Sequence, residues 1–182
     1  MLRFELVGPH LQLHDEGSVR NDQRGDSFCL TAAVCSGGAS ATFRLDSKPE
    51  WAIAVGVFPG DLQLDSDYLS ATGKRFALRV HAASGGEARV LCNGETRDRI
   101  GGIDWTSGDL IEVDVAFESG STAARVTLRF KGRTESALLE GVPSCGLRFG
   151  VGMQGKGSAV TLMTGSVDDV TWCASTAEAL TA

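Results

Sequence analysis

Nowhere does this sequence hold about 18 consecutive apolar residues, the minimum for a membrane-spanning helix, so no membrane contact is expected. The opening MLRFELVGPH lacks a long apolar run as well, so no signal peptide is expected. No Asn-x-Ser/Thr sequon occurs, and no GxSxG elbow. The five cysteines, Cys29, Cys35, Cys92, Cys145 and Cys173, are odd in number and lack CxxC spacing, which fits neither a disulfide framework nor a zinc site. Cys29 and Cys35 fall on one expected strand, about 20 Å apart at roughly 3.3 Å per residue, beyond disulfide reach. A reducing, cytoplasmic setting follows as the default. Lys and Arg are scattered along a chain of net charge −6, which gives no basic stripe for nucleic acid.

Proline is rare, with 4 residues, whereas glycine reaches 23, a balance suited to tight turns between many short segments. The dominant signal is period-two alternation. Phe28, Leu30, Ala32 and Val34 share one face, as do Phe76, Leu78 and Val80, and so do Ile111, Val113, Val115 and Phe117. Trp51 to Phe58 is apolar on both faces, as a central strand should be. Asn93-Gly94, Ser119-Gly120, Lys131-Gly132 and Gly155-Lys156-Gly157 punctuate the blocks. No 3.6-residue apolar stripe persists, and the one helix signal is a weak capping box, Ser175 with Glu178. The pattern predicts an all-β, two-sheet antiparallel sandwich of about 12–13 strands with essentially no helix. One domain is expected over 1–174, with a short tail over 175–182. The stretches 59–74 and 93–108 read as long loops, the kind that carry function.

Three motifs tempt and fail on local geometry. Gly150-Val151-Gly152-Met153-Gln154-Gly155 matches GxGxxG, and Gly150 to Lys156 approaches a phosphate loop. Both need a helix directly after the glycines, and the strand pattern Ala159 to Met163 follows instead. His10 and His14 have helical metal-ligand spacing, but on a strand they stand about 13 Å apart. Glu112-Val113-Asp114 with Glu118 approaches the ExDxE motif of a glycoside hydrolase family on the concanavalin A-like sandwich. A retaining glycosidase needs carboxyl groups about 5–5.5 Å apart, whereas six strand residues separate Glu112 from Glu118 by about 20 Å. No cofactor and no metal are expected.

The segment Gly108-Asp109-Leu110-Ile111-Glu112-Val113-Asp114-Val115 resembles the "GD-x-I-x-V" strand of SPRY domains. Val126 to Gly132 resembles the following strand and turn, with Lys131 where Asn is common. Leu147-Arg148-Phe149-Gly150-Val151, Ser158 to Leu162 and Trp51 to Val57 resemble further strands of that family in the same order, so that the similarity spans Ser40 to Met163. The resemblance implies a concanavalin A-like jelly roll of SPRY type. It also implies a non-catalytic module that binds a protein or peptide through its loops, whether alone or as part of a larger protein.

In one branch of that family a loop Gly-Tyr-x-x-Leu-x-Gly contacts the peptide. Asp67-Tyr68-Leu69-Ser70-Ala71-Thr72-Gly73 matches it at the tyrosine and final glycine, with Ala71 in place of the leucine. A Trp-Gly pair of that branch is replaced here by Met153-Gln154-Gly155. The expected contact residues are therefore Tyr68, Ala71, Met153 and Gln154, with Arg20 and Asn21 from a neighbouring loop over Val19 to Gln23. Tyr68 offers a flat apolar ring with a hydroxyl, and Met153 an adaptable apolar chain. A carbohydrate-binding, lectin-like module is the alternative, and a glycoside hydrolase of the same superfamily a weaker one.

Overall fold

A computed structural model of the protein describes residues 2–15, 17–23, 25–62 and 77–168. Fourteen strands are present, and no helix occurs among the described residues. In order along the chain they are β1 (Phe4–Val7), β2 (Leu11–His14), β3 (Ser18–Asn21), β4 (Asp26–Val34), β5 (Gly38–Leu45), β6 (Ala52–Pro59) and β7 (Leu78–Ala83). There follow β8 (Glu87–Cys92), β9 (Glu95–Gly101), β10 (Leu110–Phe117), β11 (Ala124–Phe130), β12 (Arg133–Leu139), β13 (Leu147–Gln154) and β14 (Ala159–Asp168). They form two seven-stranded sheets, ordered β1-β4-β13-β6-β7-β8-β9 and β12-β11-β10-β5-β14-β3-β2. Every pairing is antiparallel.

The alternation explains the layering. Phe43, Ile111, Val113, Val126 and Leu128 of the second sheet face Val55, Val57, Val80, Phe149 and Val151 of the first, all of them buried. Each such side chain contributes roughly 1.5–3 kcal/mol relative to exposure. Strand β6 is apolar on both faces because Phe28, Leu30, Ala54 and Phe58 form a second buried cluster on the outer side of the first sheet. Arg148 is buried beside that cluster. It donates through Nε to the Gly60 carbonyl at 2.9 Å and through Nη1 to the Thr31 carbonyl at 2.7 Å. Glu5 lies 4.0 Å from the same guanidinium, and burial pulls the Arg148 pKa down from its ordinary value.

Several local expectations are corrected. The stretch 93–108 is no long loop: Asn93-Gly94 is a tight turn, β9 follows, and Ile103 and Trp105 descend into the core. Trp105 stacks on Phe130 at 6.0 Å between ring centroids and donates its indole N–H to the Glu87 carbonyl. Val19 to Gln23 contains the end of β3, which pairs with both β2 and β14. The strand expected at Ala159 to Met163 is longer, one bulged strand, β14, through Asp168. Cys35 is disulfide-bonded, whereas Cys29, Cys92 and Cys145 are free, which corrects the expectation of a chain without bridges. Tyr68, Ala71, the tail 175–182 and its capping box lie outside the described residues.

Candidate functional site

One rim of the sandwich gathers the ends of β4, β6, β7 and β13, because Gln154 pairs with both Asp26 and Ala52, and Ala52 pairs with Ala83. Trp51 stands just beyond the end of β6 at this rim, held by a hydrogen bond from the Ser84 amide to its carbonyl at 2.9 Å. Its side-chain position on the strand points toward the core side, yet it lies past the last rung of the sheet, where no opposing layer covers it. Trp51 is 63 % exposed, the most exposed of the large apolar residues described. Tryptophan buries more apolar area than any other side chain when it docks, and its amphipathic ring is over-represented at interface anchors.

The turn between β13 and β14 supports the indole. Gly155 has a φ of +95°, a conformation that favours glycine, and a methyl group there would stand 2.7 Å from Cδ1 of Trp51. The turn is itself braced by Asn21. Its Nδ2 donates to the Gly25 carbonyl at 3.1 Å and to the Met153 carbonyl at 3.4 Å, its amide donates to the Ser158 carbonyl, and its carbonyl accepts from the Gly157 amide. Asn21, Met153 and Ser158 are buried, so these bonds satisfy polar groups removed from water and brace the turn.

The expected contact residues divide around this rim. Asn21, Met153 and Gln154 are brought together, but only Gln154 reaches the surface, as a half-buried residue. Met153 is corrected to a core residue: β13 continues through it, and its side chain is buried between the sheets. Asn21 is corrected to a fully buried brace rather than a contact. Arg20 is exposed and ion-paired with Asp22 at 3.3 Å, on the outer face of the second sheet. Tyr68 and Ala71 lie outside the described residues, between Pro59 at the end of β6 and Leu78 at the start of β7, the strand ends opposite Trp51.

Arg20 belongs instead to a shallow groove of about 600 Å³ on that outer face, lined also by His14, Gly17, Arg44, Asp46 and Thr161. Small residues make its floor, since Ala159 lies opposite Arg20 and Ser18 opposite Thr161. Asp46 accepts from Arg44 Nε at 2.6 Å and from Thr161 Oγ1 at 2.5 Å, so its carboxylate is already engaged.

The acidic motif on β10 has a structural role. Glu112 and Asp114 both face Arg129 of β11, with Glu112 3.8 Å from its Nη1 and Asp114 in direct contact. Glu118 lies beyond the strand, in a turn whose carbonyl accepts the Ser121 amide. The glycine motif runs from β13 into β14, so no helix N-terminus meets it. His10 Nδ1 lies 3.1 Å from Gln23 Oε1, and no cluster of three metal-ligating side chains occurs among the described residues.

No protein-family profile matches this sequence, and no curated protein does. Solved structures do match in shape. The TRIM65 PSpry domain superposes with a TM-score of 0.64 at 15 % identity, over 90 % of this chain and 89 % of that one. A human SPRY domain gives 0.62 at 17 % identity, over 87 % and 95 % of the two chains. The SPRY domain of human HERC1 gives 0.61 at 17 % identity, over 86 % and 96 %. The chain has the SPRY fold. A seed lectin from Lotus tetragonolobus matches more loosely, with a TM-score of 0.54 at 12 % identity over 92 % and 97 %.

In this SPRY fold the exposed aromatic at the rim is Trp51, which the sequence pattern assigns to the core strand. The signal that could have found it is its place directly after Pro49-Glu50, one residue before the apolar run that pairs in the sheet.

Proposed function

We propose that this SPRY-fold domain is a non-catalytic module that binds a protein or peptide at the rim formed by Trp51, Gln154 and the β13–β14 turn. The observation that carries the reading is the 63 % exposure of Trp51 on a rigid glycine seat. Docking a partner over that ring would remove a large apolar area from water, and hot spots of this type account for most of an interface's energy. The fold supports the same reading through its resemblance to SPRY interaction domains. Tyr68 and Ala71 are proposed to add a second contact from their loop. The ion-paired state of Glu112 and Asp114 supports a role without catalysis at the one acidic motif that resembled a glycosidase.

Affinity capture from native extract with the wild-type chain, Trp51→Ala and Tyr68→Ala tests the reading. A partner retained by wild type and lost with Trp51→Ala is expected, and retention of every partner by a folded Trp51→Ala variant would overturn the rim as the site.

The lectin-like relation and the polar groove around Arg20, Arg44 and Asp46 support a second reading, carbohydrate binding. Glycan-array binding that Arg44→Ala abolishes would favour it, and a blank array would dismiss it.

A further inference from the structure

We infer that the partner residue received by Trp51 is a basic side chain, lysine or arginine, held between the indole ring and the Glu50 carboxylate; the inference rests on the reading of Trp51 as the anchor. Glu50 and Trp51 are consecutive and both exposed. They converge on one spot: a methyl group built at Gly155 would stand 2.7 Å from Trp51 Cδ1 and 3.6 Å from Glu50 Oε2. The indole edge and an anionic oxygen therefore both border the buried Gly155, while Trp51 and Glu50 themselves are exposed beside each other.

Neither the Glu50 carboxylate nor the Trp51 ring face has a charged partner among the described residues. Glu50 has no hydrogen bond or ion pair among the described residues, in contrast to Asp46, Glu87, Glu112 and Asp114, each of which faces an arginine. Among the described residues no cation lies over the Trp51 ring either, whereas Trp105 carries Lys131 at 5.9 Å from its centroid. Lys156 is exposed on the adjacent turn and makes no ion pair with Glu50. Tryptophan is the strongest cation–π acceptor among the side chains, and a carboxylate beside it adds charge attraction to the same ligand atom. An apolar partner residue would gain from the indole alone and would desolvate Glu50 without compensation. A basic residue uses both groups, and the chain's net charge of −6 favours its approach.

The test is selection of a random peptide library, displayed on phage, against the full chain as wild type, Glu50→Gln and Trp51→Ala. Both positions are exposed, and circular dichroism confirms that each variant stays folded. The expected result is enrichment of Lys or Arg at one fixed peptide position on wild type, with binding lost on Trp51→Ala. On Glu50→Gln the selected basic peptides should bind about 1.5- to 5-fold more weakly, as loss of one surface charge pair predicts, and the weakening should shrink as salt is raised. Peptides that depend on Trp51 but show no basic preference would overturn the inference and leave the anchor reading standing. Peptides indifferent to Trp51→Ala, or a library that yields no binder, would remove the anchor reading and the inference with it.

Discussion

Trp51 rests directly on Gly155, close enough that a single added methyl group would come within 2.7 Å of the indole. One glycine therefore fixes both the path of the β13–β14 turn and the position of the exposed ring. Replacement by alanine meets two obstacles, the clash and a φ of +95° that L side chains disfavour. Gly155→Ala should lower stability by about 1–2 kcal/mol and weaken Trp51-dependent binding, whereas Gly157→Ala, with open space around its Cβ, should strain only the backbone. Urea unfolding of both variants beside a binding measurement separates the two effects.

Arg148 is the buried cation that joins the first sheet to the start of the loop after β6. Its two donors satisfy the carbonyls of Gly60 and Thr31, and replacement by methionine keeps most of the apolar stem while stranding both acceptors. Each buried acceptor left without a donor costs about 1–3 kcal/mol, so Arg148→Met should destabilise by about 2–4 kcal/mol. The measurement is the shift in urea midpoint at constant slope. A loss below about 0.5 kcal/mol would show that water replaces the guanidinium there.

The Glu87 carboxyl is held below its ordinary range, first by its hydrogen bond to Arg89 and then by the charges of Arg89 and Arg99. The Arg89 Nε to Glu87 distance is 2.6 Å, with a second contact from Nη2 at 3.3 Å. Because the folded value is depressed, the pair's contribution to stability is present above the ordinary glutamate range and lost as pH falls through the folded value. Arg89→Leu should return the Glu87 titration toward the usual carboxylate range, read by NMR of the side-chain carboxyl carbon. The stability difference between variant and wild type should narrow on acidification.

Much of the sandwich was legible because alternation is the direct imprint of a sheet with one face in the core. Ile111, Val113, Val115 of β10 and Val126, Leu128, Phe130 of β11 show it plainly, and they pair in register as neighbours. The missed strands are the ones whose stabilising contacts lie elsewhere. Strand β9 exposes Glu95 to Arg99 without a break and occupies the edge of its sheet, so it has almost no apolar face to reveal it. Strand β12, also an edge, carries inward only Ala137 and Leu139 as buried apolar residues.

The site was less legible, and for a physical reason. Contact residues were assigned by loop character, and the rim inverts that assignment at two positions. Met153, set among glycines, looks like a loop residue but continues β13 into the core, since Gly152 and Met153 pair with strands on both sides. Trp51, at the head of a continuous apolar run, looks like core but lies one position beyond the paired residues. Strand ends decide exposure here, and a sequence pattern locates strand ends poorly because the alternation carries no signal for where pairing stops. Asn21 shows the complementary case: a polar residue buried because three backbone groups around the β13–β14 turn, and the Gly25 carbonyl, need its side-chain amide and its own main chain.

Trp51 is the proposed anchor for a macromolecular partner. The decisive measurement is the dissociation constant of the captured partner for wild type, Trp51→Ala and Arg129→Ala, the last a control on the outer face of the second sheet. Trp51→Ala should lose at least about 30-fold in affinity, the 2 kcal/mol or more of a hot-spot residue, with Arg129→Ala unchanged. Equal affinities for wild type and a folded Trp51→Ala, or a loss confined to Arg129→Ala, would contradict it.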